Sequence, residues 1–208
     1  MSRRDVELAM PTAKPVGIVV WLADPKFPLP AWDAFASVGL IVALPQDGPW
    51  WVERGDDGAL SRVRREVLPE LRAEHKLPIA LAGQGRGGSG ALTLAFRLRG
   101  DVSVVLTDTA TVDLHEAYGY GTELDELYIS REACRQDGAI LAVDPFRTPA
   151  SIRFHCSPDH PAHRGNDRLH EKLSALGIEH TWSETVPQAE EYAAWLAGEL
   201  AKSGRRLL

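Results

Sequence analysis

At 208 residues, with 44% hydrophobic and 25% charged side chains, the chain is long enough for one sizeable α/β domain and short for two. Its formal net charge of -6 comes without a basic block or basic-aromatic interleaving, which excludes nucleic acid and an anionic membrane surface as principal partners. No segment approaches the roughly 20 apolar residues of a membrane span, and the arginines of the N-terminal MSRRDVELAMPTAKP have no apolar run behind them. Two cysteines, Cys134 and Cys156, form neither a disulfide framework nor a zinc-finger spacing. These observations lead to the expectation of a cytoplasmic protein with free thiols, a loose lead-in over residues 1–14 and a single domain over 15–208.

In chain order, VGIVVWLA at 16–23 and GLIVAL at 39–44 are continuous apolar runs of strand length, flanking a proline-punctuated segment. Residues 59–75 carry Leu60, Val63, Val67, Leu68 and Leu71 at helical spacing, and Pro69 must kink that helix or stand in the first turn of its second half. Strands follow at 78–82, 102–107, 151–156 and 180–185, with helices at 166–176 and about 189–202. The alternation predicts a three-layer α/β fold, a mainly parallel sheet with helices on both faces. Residues 110–150 interrupt it, about forty residues with no clean strand, and predict a cap excursion over a site at the carboxyl edge of the sheet.

The chemistry should lie at the strand ends. After the strand at 78–82 comes Gly83-Gln84-Gly85-Arg86-Gly87, a tight strand-to-helix turn with glycine where the pattern G-x-S-x-G would present a nucleophile. Covalent acyl transfer needs an oxygen or sulfur atom at that point, and Gly85 has neither.

The segment GQGRGGSGALTLAFRL resembles the nucleophile turn of esterases of the α/β-hydrolase superfamily, the esterase-D-like kind, and the blocks at 118–140 and 164–185 resemble the later part of a bacterial branch of the same esterases. The resemblance spans most of 39–196 and implies an α/β-hydrolase fold. It also implies a triad whose positions are degenerate: Gly85 for the nucleophile, Asp159 for the acid (or His160, one residue on) and Glu190 where the base histidine would stand. A His-Gly pair implied after the first long strand is replaced by Ala23-Asp24-Pro25. Proline has no N–H to donate, and Asp24 adds negative charge where an anion would have to be stabilised. The backbone N–H of Arg86 remains as one donor.

Three other readings compete. Gly83-x-Gly85-x-x-Gly88 between strand and helix matches the dinucleotide fingerprint, with Asp108 at the end of the next strand to bind a ribose. A relocated nucleophile would have to be Ser89, Cys156 or Ser157. His155, Asp159, His160 and His163 fall within nine residues, although without a standard metal-ligand spacing, and a solvated loop is the expectation there. Trp50 and Trp51, after Gly48-Pro49, are expected to pack on the sheet edge, and Arg86 to pair with Glu190 or Asp159. The reading adopted is an esterase-like pseudoenzyme without cofactor or metal. Asp24, Gln84, Arg86 and His160 are its candidate pocket for a small molecule, and its oligomeric state is open.

Overall fold

The computed structural model describes residues 6–46, 50–54, 58–98 and 102–206. Seven strands form one sheet: β1 (Val6–Ala9), β2 (Gly17–Leu22), β3 (Leu40–Pro45), β4 (Ile79–Gln84), β5 (Val104–Asp108), β6 (Ser151–His155) and β7 (Thr181–Ser183), in the order β1-β3-β2-β4-β5-β6-β7. β1 runs antiparallel to β3, and every other pairing is parallel. The expected loose lead-in is therefore corrected over Val6–Ala9. Val6 and Ala9 are half-buried while Glu7 and Leu8 are exposed, as suits a short strand at the edge of the sheet.

β2, β3, β4 and β5 are buried almost throughout, because helices cover the sheet on both sides. Ile18, Val20 and Leu22 of β2 point to one face, where they pack with Leu60, Leu68, Leu92, Phe96 and Leu169 of the covering helices. Val19 and Trp21 point to the other, against Phe35 of α1 (Trp32–Ser37) and Leu196 and Leu200 of α9 (Ala189–Arg206).

The helix expected at 59–75 is continuous but not uniform. α2 (Ala59–Arg62) passes through a π turn at Val63–Val67 into α3 (Leu68–His75), with Pro69 in the first turn of α3. A proline cannot donate to the preceding turn and crowds its carbonyl. The wider π turn just before it accommodates this without breaking the helix.

α4 (Gly85–Arg97) is buried along nearly its whole length. Its glycines allow close approach: a β-carbon on Gly87 would fall onto the Leu22 carbonyl, and one on Gly83 would stand 2.6 Å from the Gly87 carbonyl carbon. α4 thus sits against the ends of β2 and β4, and the topology reverses between those two strands. Such a switch point opens a crevice at the carboxyl edge of a parallel sheet.

Residues 110–150 contain no strand. They hold a 3-10 turn (Leu114–Glu116) and the short helices α5 (Leu124–Leu127), α6 (Arg131–Gln136) and α7 (Ala139–Ala142). A small core of Trp50, Val52, Leu114, Leu124, Tyr128 and Cys134 organises the segment. Arg97 of α4 ties it down, reaching both Asp137 and Glu53 at 2.8 Å. α8 (His163–Ala175) packs beside it and leads to β7. Among the described residues no helix is long and apolar enough to cross a membrane.

Candidate functional site at the β2 and β4 crevice

Gly85 opens α4 with φ of +50°, a backbone conformation that side chains other than glycine rarely adopt. The turn therefore has a sharp elbow and no side chain at its apex. The space a side chain would use is taken: a β-carbon there would collide with Asp24 Oδ2 and lie 2.6 Å from Phe27 Cε2.

The first turn of α4 has no acidic residue and no side-chain cap from Gln84. Asp24, from the turn after β2, supplies what is missing. The Arg86 backbone N–H donates to Asp24 Oδ2 at 2.7 Å, while the Lys26 N–H donates to Oδ1 at 2.9 Å and the Phe27 N–H donates to the Asp24 carbonyl at 3.0 Å. A buried carboxylate at a helix N-terminus gains both an orphan donor and the favourable end of the helix dipole. The Trp51 indole N–H fixes the same turn by donating to the Ala23 carbonyl at 2.6 Å.

Arg86 does not meet the expected Glu190 or Asp159. Its guanidinium lies 4.2 Å from the Trp50 ring centroid and 3.6 Å from the Glu123 carboxylate, to which the Trp50 indole also donates at 2.8 Å. Trp50 therefore links the excursion to the elbow instead of packing on the sheet edge. Gly48-Pro49 lies outside the described residues. Asp159 and Glu190 are both exposed, one in the turn after β6 and the other in the first turn of α9. His160 is half-buried, with its ring 6.4 Å from that of Phe27 and its Nδ1 accepting from the Ala162 N–H at 3.1 Å.

A polar row runs along the last rungs of the sheet, where Gln84 is in register with Asp108 and Asp108 with His155. The Gln84 amide donates to Asp108 Oδ2 at 3.1 Å. Burial raises the Asp108 carboxyl above its ordinary range despite that bond. His155 has no exposed surface. Burial first, then the neighbouring Arg153 charge, lowers its imidazole to about 4, so at neutral pH it is uncharged. In that state Nδ1–H donates to the Thr185 carbonyl at 3.1 Å and Nε2 accepts from Arg153 Nε at 2.9 Å. The sequence reading saw Asp108 only as a ribose ligand and His155 only as a metal ligand. The strand register, which a single sequence does not supply, is what joins them.

The geometry bears on the competing readings. A pyrophosphate at the start of α4 would need the donor that Asp24 occupies, and Asp108 is bonded to Gln84. Among the relocated nucleophiles, Ser89 is fully buried. The Cys156 thiol is pushed up to about 12 by burial and by Asp108, which keeps it protonated at neutral pH. Ser157 is half-buried. His155 and His160 are engaged as above, and His163 contacts Glu184 at 3.0 Å. Among the described residues no group of three or more His, Cys, Asp or Glu side chains is placed to hold a metal ion.

This sheet order, with the elbow at the switch point, is the α/β-hydrolase fold, and the chain has that fold. Solved structures agree. A ferulic acid esterase superposes with a TM-score of 0.70 at 13% identity, over 96% of this chain and 91% of its own. The S-formylglutathione hydrolase of Agrobacterium tumefaciens gives 0.69 at 14%, over 94% and 89%. The fluorophosphonate-binding serine hydrolase F of Staphylococcus aureus gives 0.70 at 12%, over 96% and 91%. No family model and no curated protein sequence matches the chain.

Proposed function

We propose that this α/β-hydrolase-fold protein has lost serine-hydrolase catalysis and works in the cytoplasm as a binding or scaffold protein for a small molecule. The observation that carries the reading is the Asp24 carboxylate at the turn whose apex is Gly85. Acyl transfer on such an elbow needs a nucleophile at the apex and an N–H donor free to meet the oxyanion. The apex has no reactive atom. The Arg86 N–H, the one donor the turn retains from the esterase pattern, already serves a carboxylate whose charge would repel an oxyanion.

Loss of a single oxyanion donor costs about 10²- to 10³-fold in turnover. Here the donor is engaged, the nucleophile is absent, and an exposed carboxylate, Glu190, stands where the resemblance places the base. The three departures support one another, because a base and an anion hole have no work without a nucleophile.

The test is hydrolysis of short-chain aryl esters by the wild-type protein and by the variant Gly85→Ser with Glu190→His. The expected wild-type rate equals that of heat-denatured protein. Wild-type turnover above that rate and above the variant's, abolished by Ser157→Ala or Cys156→Ala, would overturn the reading in favour of a relocated nucleophile.

A further inference from the structure

Away from the elbow, α8 ends in a turn that brings two histidines face to face. Leu176 closes the helix and Gly177 follows with φ of +67°. The Gly177 N–H then bonds the Ser174 carbonyl at 3.0 Å and the Ile178 N–H the Leu173 carbonyl at 2.9 Å, a doubled-back helix ending that a left-handed glycine permits. The turn returns His180, just before β7, to the side of His170 on α8, with His170 Nδ1 and His180 Nε2 2.8 Å apart. We propose that this pair is a chelating site for a late first-row divalent transition ion, with Cu²⁺ held more tightly than Zn²⁺.

The tautomers carry the argument. A carbonyl only accepts, so the 2.7 Å contact between His180 Nδ1 and the Ile178 carbonyl puts the proton on Nδ1 and leaves Nε2 a lone pair. A metal-bound imidazole has that arrangement, its second nitrogen donating to a group that fixes the ring. His170 Nδ1–H donates to the lone pair in the ion-free protein. Moving that proton to His170 Nε2 turns both facing nitrogens into ligands. Two nitrogens on one tetrahedral ion stand about 3.3 Å apart, so the rings must separate by roughly half an ångström. The exchange forfeits one neutral hydrogen bond and gains two metal–nitrogen bonds.

The surroundings fix the rings and suit a cation. Phe154 stacks on His180 with centroids 5.7 Å apart, and Trp182 stacks on His170 at 6.3 Å. Both histidines are half-buried, which leaves them open to solvent on one side. His180 borders a polar hollow of about 340 Å³ with Glu179 and Glu199, and Lys202, which also lines it, is paired with Glu199 at 2.6 Å. Neutral imidazole nitrogens suit Cu²⁺ and Zn²⁺, and Cu²⁺ stands higher in the order of affinities for such ligands. Among the described residues no group of three or more His, Cys, Asp or Glu side chains is placed to hold an ion, so solvent completes the coordination.

This inference stands apart from the proposed function, and its experiment reads ion binding whatever the outcome of the ester assay. Calorimetric titration of the full chain, prepared without a histidine tag, should show one saturable ion per chain, with Cu²⁺ at least about tenfold tighter than Zn²⁺. His170→Gln and His180→Gln should each weaken Cu²⁺ binding by at least about tenfold. His163→Gln should leave it unchanged, because that ring lies about two turns back along α8, against Glu184. Cu²⁺ should also raise the urea midpoint of the wild type and not that of either pair variant, which separates lost ligation from lost folding. No saturable Cu²⁺ binding at millimolar ion, an affinity unmoved by both His170→Gln and His180→Gln, or an equal loss in His163→Gln would overturn the proposal.

Discussion

The elbow at the ends of β2 and β4 and the cleft between the excursion and α8 both carry buried polar groups, but those groups stand in opposite conditions. In the crevice the chain supplies its own anion, and the Asp24 carboxylate takes donors from Arg86 and Lys26. In the cleft the Arg168 guanidinium is held by Asp113 and Glu116 and still carries a buried N–H without an acceptor. Position in the fold therefore does not by itself mark a working site. The crevice sits where open α/β sheets place their ligands, yet the Arg86 N–H at its elbow is already taken by Asp24.

The most severe way to break the crevice is to part the strand and helix that form it. Gly87→Ala would drive a β-carbon onto the Leu22 carbonyl, so a loss above about 3 kcal/mol is expected, read as failure to accumulate folded protein or a collapsed urea midpoint.

The polar row beneath the crevice is probed by pH. His155 is lowered to about 4 in the folded state, so the unfolded chain takes up a proton first as pH falls. Its contribution is fully present above its ordinary pKa of about 6.5 and is lost between there and about 4, a loss of about 3 kcal/mol at most. Urea midpoints across that range should fall for the wild type and flatten for His155→Gln. Asp108 acts in the opposite sense, because acidification relieves the cost of its buried charge.

Gly85→Ser should cost about 1 to 3 kcal/mol from the strained backbone alone, with the Asp24 collision added. Combining it with Asp24→Gly should cost less than the sum of the two single changes, since the collision is then gone. Additive midpoints would place Asp24 elsewhere than against the apex. The smallest expected effect is that of Asp24→Ala, a loss of about 1 kcal/mol typical of a removed helix cap.

Much of this was legible in the sequence. The apolar runs at 16–23 and 39–44 read as strands buried on two faces, and the glycines after 83 as a tight strand-to-helix turn. Asp24 was read as the wrong charge for an anion hole, and Arg86 as a backbone donor. That the one binds the other is a contact across 62 positions, beyond any local pattern. The first strand escaped notice because four residues on a sheet edge are too few to show a period clearly. The partners of Arg86 were missed for the same reason of range, since Trp50 and Glu123 come from a loop and an excursion whose packing a small separate core decides.

The central claim, that no side chain of this protein serves as a serine-hydrolase nucleophile, is tested most directly by intact-mass analysis after incubation with an active-site-directed fluorophosphonate. The account predicts an unmodified wild-type mass under conditions that fully label a control serine hydrolase. A stoichiometric adduct, lost on replacing Ser89, Cys156 or Ser157, would contradict it.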